Sequence, residues 1–205
     1  MKTLELFAGT QSFSKGIFRY DNTSTIITVD LLKKFNPSIV VDILNWDYTI
    51  YKPGDFDIIW ASPPCTEYSK AKTRGVRNLD LADSLVRKSF EIIKYFKPKS
   101  WIVENVGTGL LVKRMNQIEP NLNSYFADYC VYGKSYRKRT IFWSNKELFL
   151  NTCEGVGVCQ QMNGSKHLGS CGNGTTKYNS SKINSVWEKD SIPDLLIDRL
   201  IISLI

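Results

Sequence analysis

The sequence predicts an α/β fold in which a mostly parallel sheet carries helices on both faces. Three observations lead to this prediction. Apolar runs of strand length alternate with segments of helical period, which is the pattern of parallel sheets. Small or polar residues follow several of these runs, as expected where parallel strands end at one edge. The chain has 205 residues, of which 42% are hydrophobic and 23% charged, as is typical of one globular domain.

Seven apolar runs predict the strands. In chain order they are TLELF, TIITVD, IVVDI, FDIIWAS, WIVENV, YFADYCVY and TIFWS. Shorter helices are expected in TQSFSKGIFRY, after the first strand, and in SIPDLLIDRLIISL, near the end of the sequence.

The clearest helical period covers residues 79–96. Asn78 or Asp80 can cap its start, and Pro98 lies just beyond its end. The residues expected on its buried face are Leu81, Leu85, Ile92 and Phe96.

Composition divides this single domain into three parts. Residues 1–145 carry the strand and helix pattern and form the expected catalytic core. Residues 146–181 are rich in Gly, Asn, Ser and Thr and predict a loop-rich insert, and residues 182–205 are expected to complete the core.

The formal net charge of +7 is compatible with a polyanionic partner. Basic residues concentrate in KAKTRGVR and GKSYRKR, each with a tyrosine nearby that could stack on a base. A solvated basic surface explains these clusters equally well. Five cysteines, no apolar leader and no membrane-length apolar run predict an intracellular protein, cytoplasmic or nucleoid-associated, without a signal peptide.

Three of the predicted strands end in residues suited to an adenosine-containing ligand. The first ends in FAGT, where Gly9 lets the backbone approach a ligand closely. The second ends at Asp30, and an acid there commonly binds ribose hydroxyls. Asp42, at the end of the third, could accept a hydrogen bond from an adenine amino group. Taken singly, each acid is more often a solvated strand-end residue.

Cys65 follows a stiff Ser62-Pro63-Pro64 segment at the end of the fourth strand. The prolines stop the strand and present the thiol at its edge, which a structural core cysteine would not require. Glu104 follows the adjacent fifth strand, so both side chains can face one pocket. A nucleophilic thiolate and a carboxyl acid suit addition to an electron-poor aromatic ring.

These residues and their order resemble the DNA cytosine-5 methyltransferases over nearly the whole chain. The matching segments are LELFAGTQSFSKG, VD, VDI, SPPC, ENV, YRKRT and DSIPDLL. The resemblance implies a Rossmann-like class I S-adenosylmethionine-dependent methyltransferase fold. It implies a cofactor site of Phe7, Gly9, Thr10, Asp30, Asp42, Ile43, Pro63 and Ser191. It also implies catalytic roles for Cys65, Glu104, Arg137 and Arg139.

The implied reaction transfers a methyl group from S-adenosylmethionine to C5 of a flipped cytosine, with double-stranded DNA as the expected partner. Two alternatives stay open: a catalytically weak or inactive nucleic-acid-binding relative, and an RNA cytosine-5 methyltransferase. Gln11 and Ser12 replace the family's Gly-rich continuation, and Ser135 stands where the family has a glutamine. The 36 positions of the insert are too few for a conventional recognition domain. The recognised sequence is therefore expected to be short or loosely defined, or the specificity is expected to be supplied by a partner protein.

The insert contains Cys153, Cys159, His167 and Cys171, a composition that fits a Cys₃His zinc site. The spacing lacks the close C-x₂₋₄-C pair that is typical of zinc ribbons. The sequence therefore favours free thiols in a flexible loop over a zinc site, and no metal ligand is assigned from it.

Overall fold

The computed structural model describes residues 1–170 and 191–205. Within them, seven strands form the main sheet in the order β3-β2-β1-β4-β5-β7-β6. The strands are β1 (Lys2–Leu6), β2 (Thr25–Asp30), β3 (Ile39–Val40), β4 (Ile58–Ala61), β5 (Ser100–Val106), β6 (Ser124–Asp128) and β7 (Arg139–Ser144). Strands β1 to β5 pair with one another in parallel, whereas β7 is antiparallel to both β5 and β6.

Helices cover both faces of this sheet. They are α1 (Ser12–Tyr20), α2 (Leu79–Phe96), α3 (Leu111–Ile118) and α4 (Asp194–Leu204). Successive β4 residues alternate between the two faces: Ile59 and Ala61 belong to the core beneath α2 and α3, and Ile58 and Trp60 to the core beneath α1 and α4. The predicted α/β fold with a mostly parallel sheet is confirmed.

Close packing joins α1 to α4 across residues far apart in sequence. A Cβ atom added to Gly16 would overlap Ile197 Cγ2, so glycine allows these helices to approach. At the rim, the Arg19 guanidinium pairs with Asp194 at 2.9 Å and with Asp198 at 3.0 Å. The C-terminal helix therefore seals the face of the sheet that α1 covers.

Several local predictions need correction. The predicted inward position of Leu81 is wrong, because its side chain is 48% exposed and the buried face is centred on Val86, Phe90 and Ile93. The expected cap is confirmed, since Asn78 Oδ1 accepts a hydrogen bond from Leu81 N at 3.1 Å. Helix α3 was not predicted from the sequence.

The YFADYCVY run is not one strand. Strand β6 ends at Asp128, and a 3₁₀ helix spans Tyr129–Tyr132. Other short elements are the 3₁₀ helices Lys33–Phe35, Ile43–Asn45 and Tyr48–Ile50, and the hairpin of β8 (Met162–Asn163) and β9 (Lys166–His167). None of the helices in the described ranges combines the length and apolar character needed to cross a bilayer.

Candidate functional site

A cavity of about 450 Å³ opens at the carboxyl ends of β1, β2, β4 and β5. Strand order reverses between β1 and β4, which is where ligands bind in open α/β sheets. Seven of the residues predicted for the site line this cavity. They are Phe7, Gly9, Thr10, Asp30, Pro63, Cys65 and Glu104.

The turn after β1 forms one wall. Phe7, Gly9 and Gln11 have φ angles of 56°, 45° and 57°, so the backbone is left-handed at three alternate positions. The Asp30 carboxylate supports this turn from β2: Oδ2 accepts from Gly9 N at 2.9 Å, and Oδ1 accepts from Leu32 N at 2.7 Å. One acid therefore fixes the backbone at the ends of two strands.

Glu5 also lines the cavity and was not predicted as a site residue. It is 2% exposed and accepts hydrogen bonds from both the backbone N and the hydroxyl of Ser14. Burial raises the Glu5 pKa to about 7, although the bonds from Ser14 oppose this rise. A charged residue within the apolar TLELF run was the available signal, because a buried acid in a strand needs a local reason.

The segment after β4 presents Cys65 between two anchored points. Asn105, which is 1% exposed, donates from Nδ2 to Pro63 O at 2.9 Å, and its Oδ1 accepts from Val106 N at 2.9 Å. The Cys65 carbonyl accepts from the backbone N of Tyr68 at 3.0 Å and of Ser69 at 2.8 Å. The β4 segment that carries the thiol is thus tied to the β5 segment that carries Glu104.

A buried polar network stabilises the segment that follows Cys65. Tyr68, which is fully buried, donates to Asp83 Oδ1 at 2.8 Å, and Arg114 pairs with Asp83 at 2.5 Å. Burial opposes ionisation of Asp83, but the hydrogen bonds from Arg114 and Tyr68 outweigh it and lower the Asp83 pKa. The turn after Cys65 is therefore fixed to both α2 and α3.

The two predicted arginines are not among the residues that line the cavity. Arg137 Nε lies 3.1 Å from Asp128 Oδ1, and Arg139 Nη2 lies 2.6 Å from Asp128 Oδ2. The Asp128 side chain is fully buried, which opposes its ionisation, but hydrogen bonds from Arg139 and Arg137 lower its pKa. Lys138, between them, lines the cavity instead, because neighbouring residues of an extended chain point to opposite sides.

Three other predicted residues do not line the cavity. Asp42 caps the adjoining 3₁₀ helix by accepting from Leu44 N at 3.0 Å, and Ile43 is buried in the core beside it. Ser191 directly precedes Ile192, which does line the cavity and donates its backbone N to Ser12 Oγ at 3.1 Å.

Comparisons with known proteins identify relatives of this chain. The family model of the C-5 cytosine-specific DNA methylases matches residues 1–137. The probable DNA (cytosine-5)-methyltransferase of Frog virus 3 (isolate Goorha) is 37% identical over 79% of this chain and 79% of its own length. The type II methyltransferase M.AgeI of Thalassovita gelatinovora is 22% identical to this chain. The aligned region covers 69% of this chain and 38% of that relative.

A solved structure, that of the Entamoeba histolytica methyltransferase EhMeth, is similar over 100% of this chain and 97% of its own, with a TM-score of 0.63 and 14% identity. At that identity the likeness concerns the fold alone. It confirms the class I methyltransferase architecture that the sequence predicts.

Proposed function

The chain belongs to the C-5 cytosine-specific DNA methylase family, and from that premise we propose that it methylates cytosine in double-stranded DNA through a covalent bond between Cys65 and the base. The observation that carries this proposal is the common cavity. Cys65 follows β4, whereas Glu104 lies within the adjacent strand β5 rather than after it, and both line one cavity together with Asp30 and the β1 turn. A nucleophile, an acid and a cofactor-sized space therefore meet at one edge of the sheet.

We propose S-adenosylmethionine as the cofactor, and the cavity fits it in size and chemistry. Its volume is within the range of small-molecule sites, roughly 300–1,000 Å³. Asp30 offers carboxylate oxygens for ribose hydroxyls, the Phe7 ring offers an apolar surface, and Gly9 gives the ligand access to the backbone. When bound, this cofactor supplies an electrophilic methyl group.

The proposed chemistry of the protein groups begins with a cytosine flipped from the duplex. The Cys65 thiolate forms a bond to C6 while Glu104 protonates or hydrogen-bonds N3, which neutralises the charge that develops on the ring. The electron pair displaced from the C5–C6 bond makes C5 nucleophilic, and a bond from C5 to the methyl group would form as the methyl–sulfur bond breaks, leaving S-adenosylhomocysteine. Loss of the C5 proton to a base from the solvent then restores the C5–C6 double bond, expels the Cys65 thiolate and returns the N3 proton to Glu104.

Only part of the first basic cluster is proposed to meet the nucleic acid. Lys72 pairs with Glu67 at 2.6 Å, and Arg77 donates to the backbone carbonyls of Glu67, Ser69 and Lys72, so these two cations organise their own loop. Lys70 and Arg74 are exposed on the same loop, which follows Cys65. They are suited to contact phosphates beside the flipped base.

The proposed function is tested by methyl transfer in vitro. Purified protein would be incubated with methyl-labelled S-adenosylmethionine and either duplex DNA or RNA, and the products mapped at base resolution. We expect 5-methylcytosine in the DNA, and the bases around it would define the specificity. Label in RNA alone would favour the RNA alternative, and no label in either polymer would favour the inactive binding relative.

Replacing Asp30 by alanine should raise the dissociation constant of S-adenosylmethionine by about tenfold or more. The substitution removes an acceptor for ribose hydroxyls and also the anchor of the Gly9 backbone. Titration calorimetry would measure the affinity. Asp30→Asn, which keeps one acceptor oxygen, should lose less cofactor affinity than Asp30→Ala.

Asp47→Ala is the matched control for this prediction. Like Asp30, Asp47 accepts a hydrogen bond from the backbone N two residues later, here Thr49 N at 3.1 Å, but it does not line the cavity. Its replacement should leave the cofactor affinity unchanged. Equal affinity for wild type and Asp30→Ala would remove Asp30 from the cofactor site.

A further inference from the structure

Three cysteines and the single histidine of the chain converge away from the candidate active site. The Sγ atoms of Cys130, Cys153 and Cys159 and one ring nitrogen of His167 all lie within 4.8 Å of one another. We propose that these four side chains form a tetrahedral Cys₃His zinc site that orders the insert. This proposal is independent of the methyl-transfer chemistry.

The distances agree with tetrahedral coordination. The His167 Nε2 atom lies 3.5 Å from Cys153 Sγ and 3.7 Å from Cys159 Sγ. Tetrahedral zinc, with bonds of about 2.3 Å to sulfur and about 2.0 Å to nitrogen, separates such atoms by about 3.6 Å. Thiolate and imidazole ligands in this number select zinc over the harder cations Mg²⁺ and Ca²⁺.

Local backbone structure brings the insert ligands together. Positive φ angles at Gly155 and Gly157 allow the chain to turn between Cys153 and Cys159, and Cys159 N donates to Gly155 O at 2.9 Å. The β8–β9 hairpin then returns the chain so that His167 lies near Cys159. The hairpin is the only regular structure within residues 145–170.

The insert lacks an apolar core that could hold this arrangement. Between residues 145 and 170, Leu148 alone is buried. Small units with so little apolar burial commonly depend on a metal or a disulfide for their stability. A bound zinc would supply that cross-link, because Cys130 belongs to the core and the other three ligands belong to the insert.

Charge around the cluster also fits a bound metal. Zinc with three thiolates and a neutral imidazole carries a net charge of −1. The Arg137 guanidinium pairs with Asp128, with 3.1 Å between Nε and Oδ1. Asp128 also accepts from Cys153 N at 2.8 Å. The positive charges of Arg137 and Arg139, which both pair with Asp128, therefore offset the negative charges of that carboxylate and of the proposed zinc site.

The structure alters the ligand set that the sequence indicated. Cys130, 23 positions before Cys153, supplies the fourth ligand, while Cys171 lies outside the described residues. Convergence of the other three insert residues supports the zinc alternative over free thiols. Because Cys153 and Asp128 are hydrogen-bonded, the metal would also stabilise the segment that carries Arg137, Lys138 and Arg139.

Metal content tests the proposal directly. Protein expressed in zinc-supplemented medium and purified under reducing conditions should contain one zinc per chain by mass spectrometry. Cobalt bound in place of zinc should show the thiolate charge-transfer band and intense d–d bands of a tetrahedral site. Absence of bound zinc, together with absence of these cobalt bands, would overturn the proposal.

Ligand variants test which cysteines take part. Cys130→Ser and Cys159→Ser should each lower zinc affinity by at least about 100-fold, since loss of even an outer-shell partner costs 10–100-fold. Cys171→Ser is the matched control and should bind zinc as wild type does. If Cys130→Ser bound zinc as wild type does and Cys171→Ser lost zinc binding, the assigned ligand set would be overturned.

Hydrogen exchange of the wild-type protein provides a test that does not depend on variants folding. Chelation of the metal should reduce amide protection in residues 153–169 and leave protection in β1, β4 and β5 unchanged. Unchanged protection throughout the insert would contradict the proposed ordering role. Neither readout uses catalytic activity, so failure of the zinc proposal is distinguishable from failure of the proposed function.

Discussion

Cys65→Ser should lower the rate of methyl transfer by at least about 10³-fold, equivalent to roughly 4 kcal/mol of transition-state stabilisation at 1.36 kcal/mol per tenfold. A serine hydroxyl is almost fully protonated at neutral pH, and it is a far weaker nucleophile than a thiolate toward C6 of the base. Single-turnover assays with labelled S-adenosylmethionine would measure the loss.

Two controls separate loss of chemistry from loss of structure. Cys65 is only half-buried, and the groups that hold its segment are the amide of Asn105 and the Tyr68–Asp83 pair. The serine variant should therefore keep the cofactor affinity and thermal midpoint of the wild type. Turnover at the wild-type rate would remove the covalent mechanism.

A substrate analogue gives a positive test of the adduct. If 5-fluorocytosine replaces the target base, fluorine cannot leave C5 as a cation, so the final elimination is blocked. Wild-type protein should then remain bound to DNA through Cys65 under denaturing conditions, and Cys65→Ser should not. An equally stable complex from the variant would show that another group forms the bond.

The sequence predicts the sheet and most of the cavity because both depend on local signals. Alternation of apolar runs with helical periods predicts parallel strands, whose carboxyl ends share one edge. Residues near those ends, such as Gly9, Asp30, Cys65 and Glu104, therefore meet in the structure. Their position depends on strand order and little on side-chain direction.

Side-chain direction and distant partners are harder to predict from the sequence. Arg137 and Arg139 were expected to have catalytic roles, and the structure shows that both contact Asp128, a buried partner that no local pattern identifies. Leu81 illustrates the same limit on α2, since a step of one residue along the helix separates exposed Leu81 from buried Ala82. Cys130 was not predicted as a ligand because its proximity to His167 arises only from tertiary folding.

Asp128 links three features that the sequence treats separately. It ends β6, pairs with both arginines that follow Gly133, and accepts the backbone N of Cys153 in the insert. The segment beside the candidate cavity and the short insert thus share one buried carboxylate. This arrangement offers a physical route by which the insert can influence Lys138 at the cavity without a large recognition domain.

Glu104→Gln should lower single-turnover methyl transfer by about 10²–10⁴-fold, the usual contribution of general acid catalysis. Glutamine has nearly the same shape as glutamate, so the cavity should be preserved. Its amide can still hydrogen-bond N3, but it cannot transfer a proton there, and negative charge on the ring then remains uncompensated as Cys65 adds to C6. Glu104→Asp should lose less activity, because it keeps a carboxyl group that can transfer a proton. Some loss is still expected, because the shorter side chain places that group farther from the ring.

Glu147→Gln is the matched control, because it makes the same chemical change at an exposed position after β7 and away from the cavity. It should retain wild-type turnover and stability. If Glu104→Gln also retained full turnover, ring protonation by Glu104 would not contribute to the rate. Lys138, which lines the same cavity as Lys34 does, would then be a candidate cation for stabilising charge on the ring. A Lys138→Met variant would separate these two sources of stabilisation, because it keeps much of the side-chain volume while removing the charge.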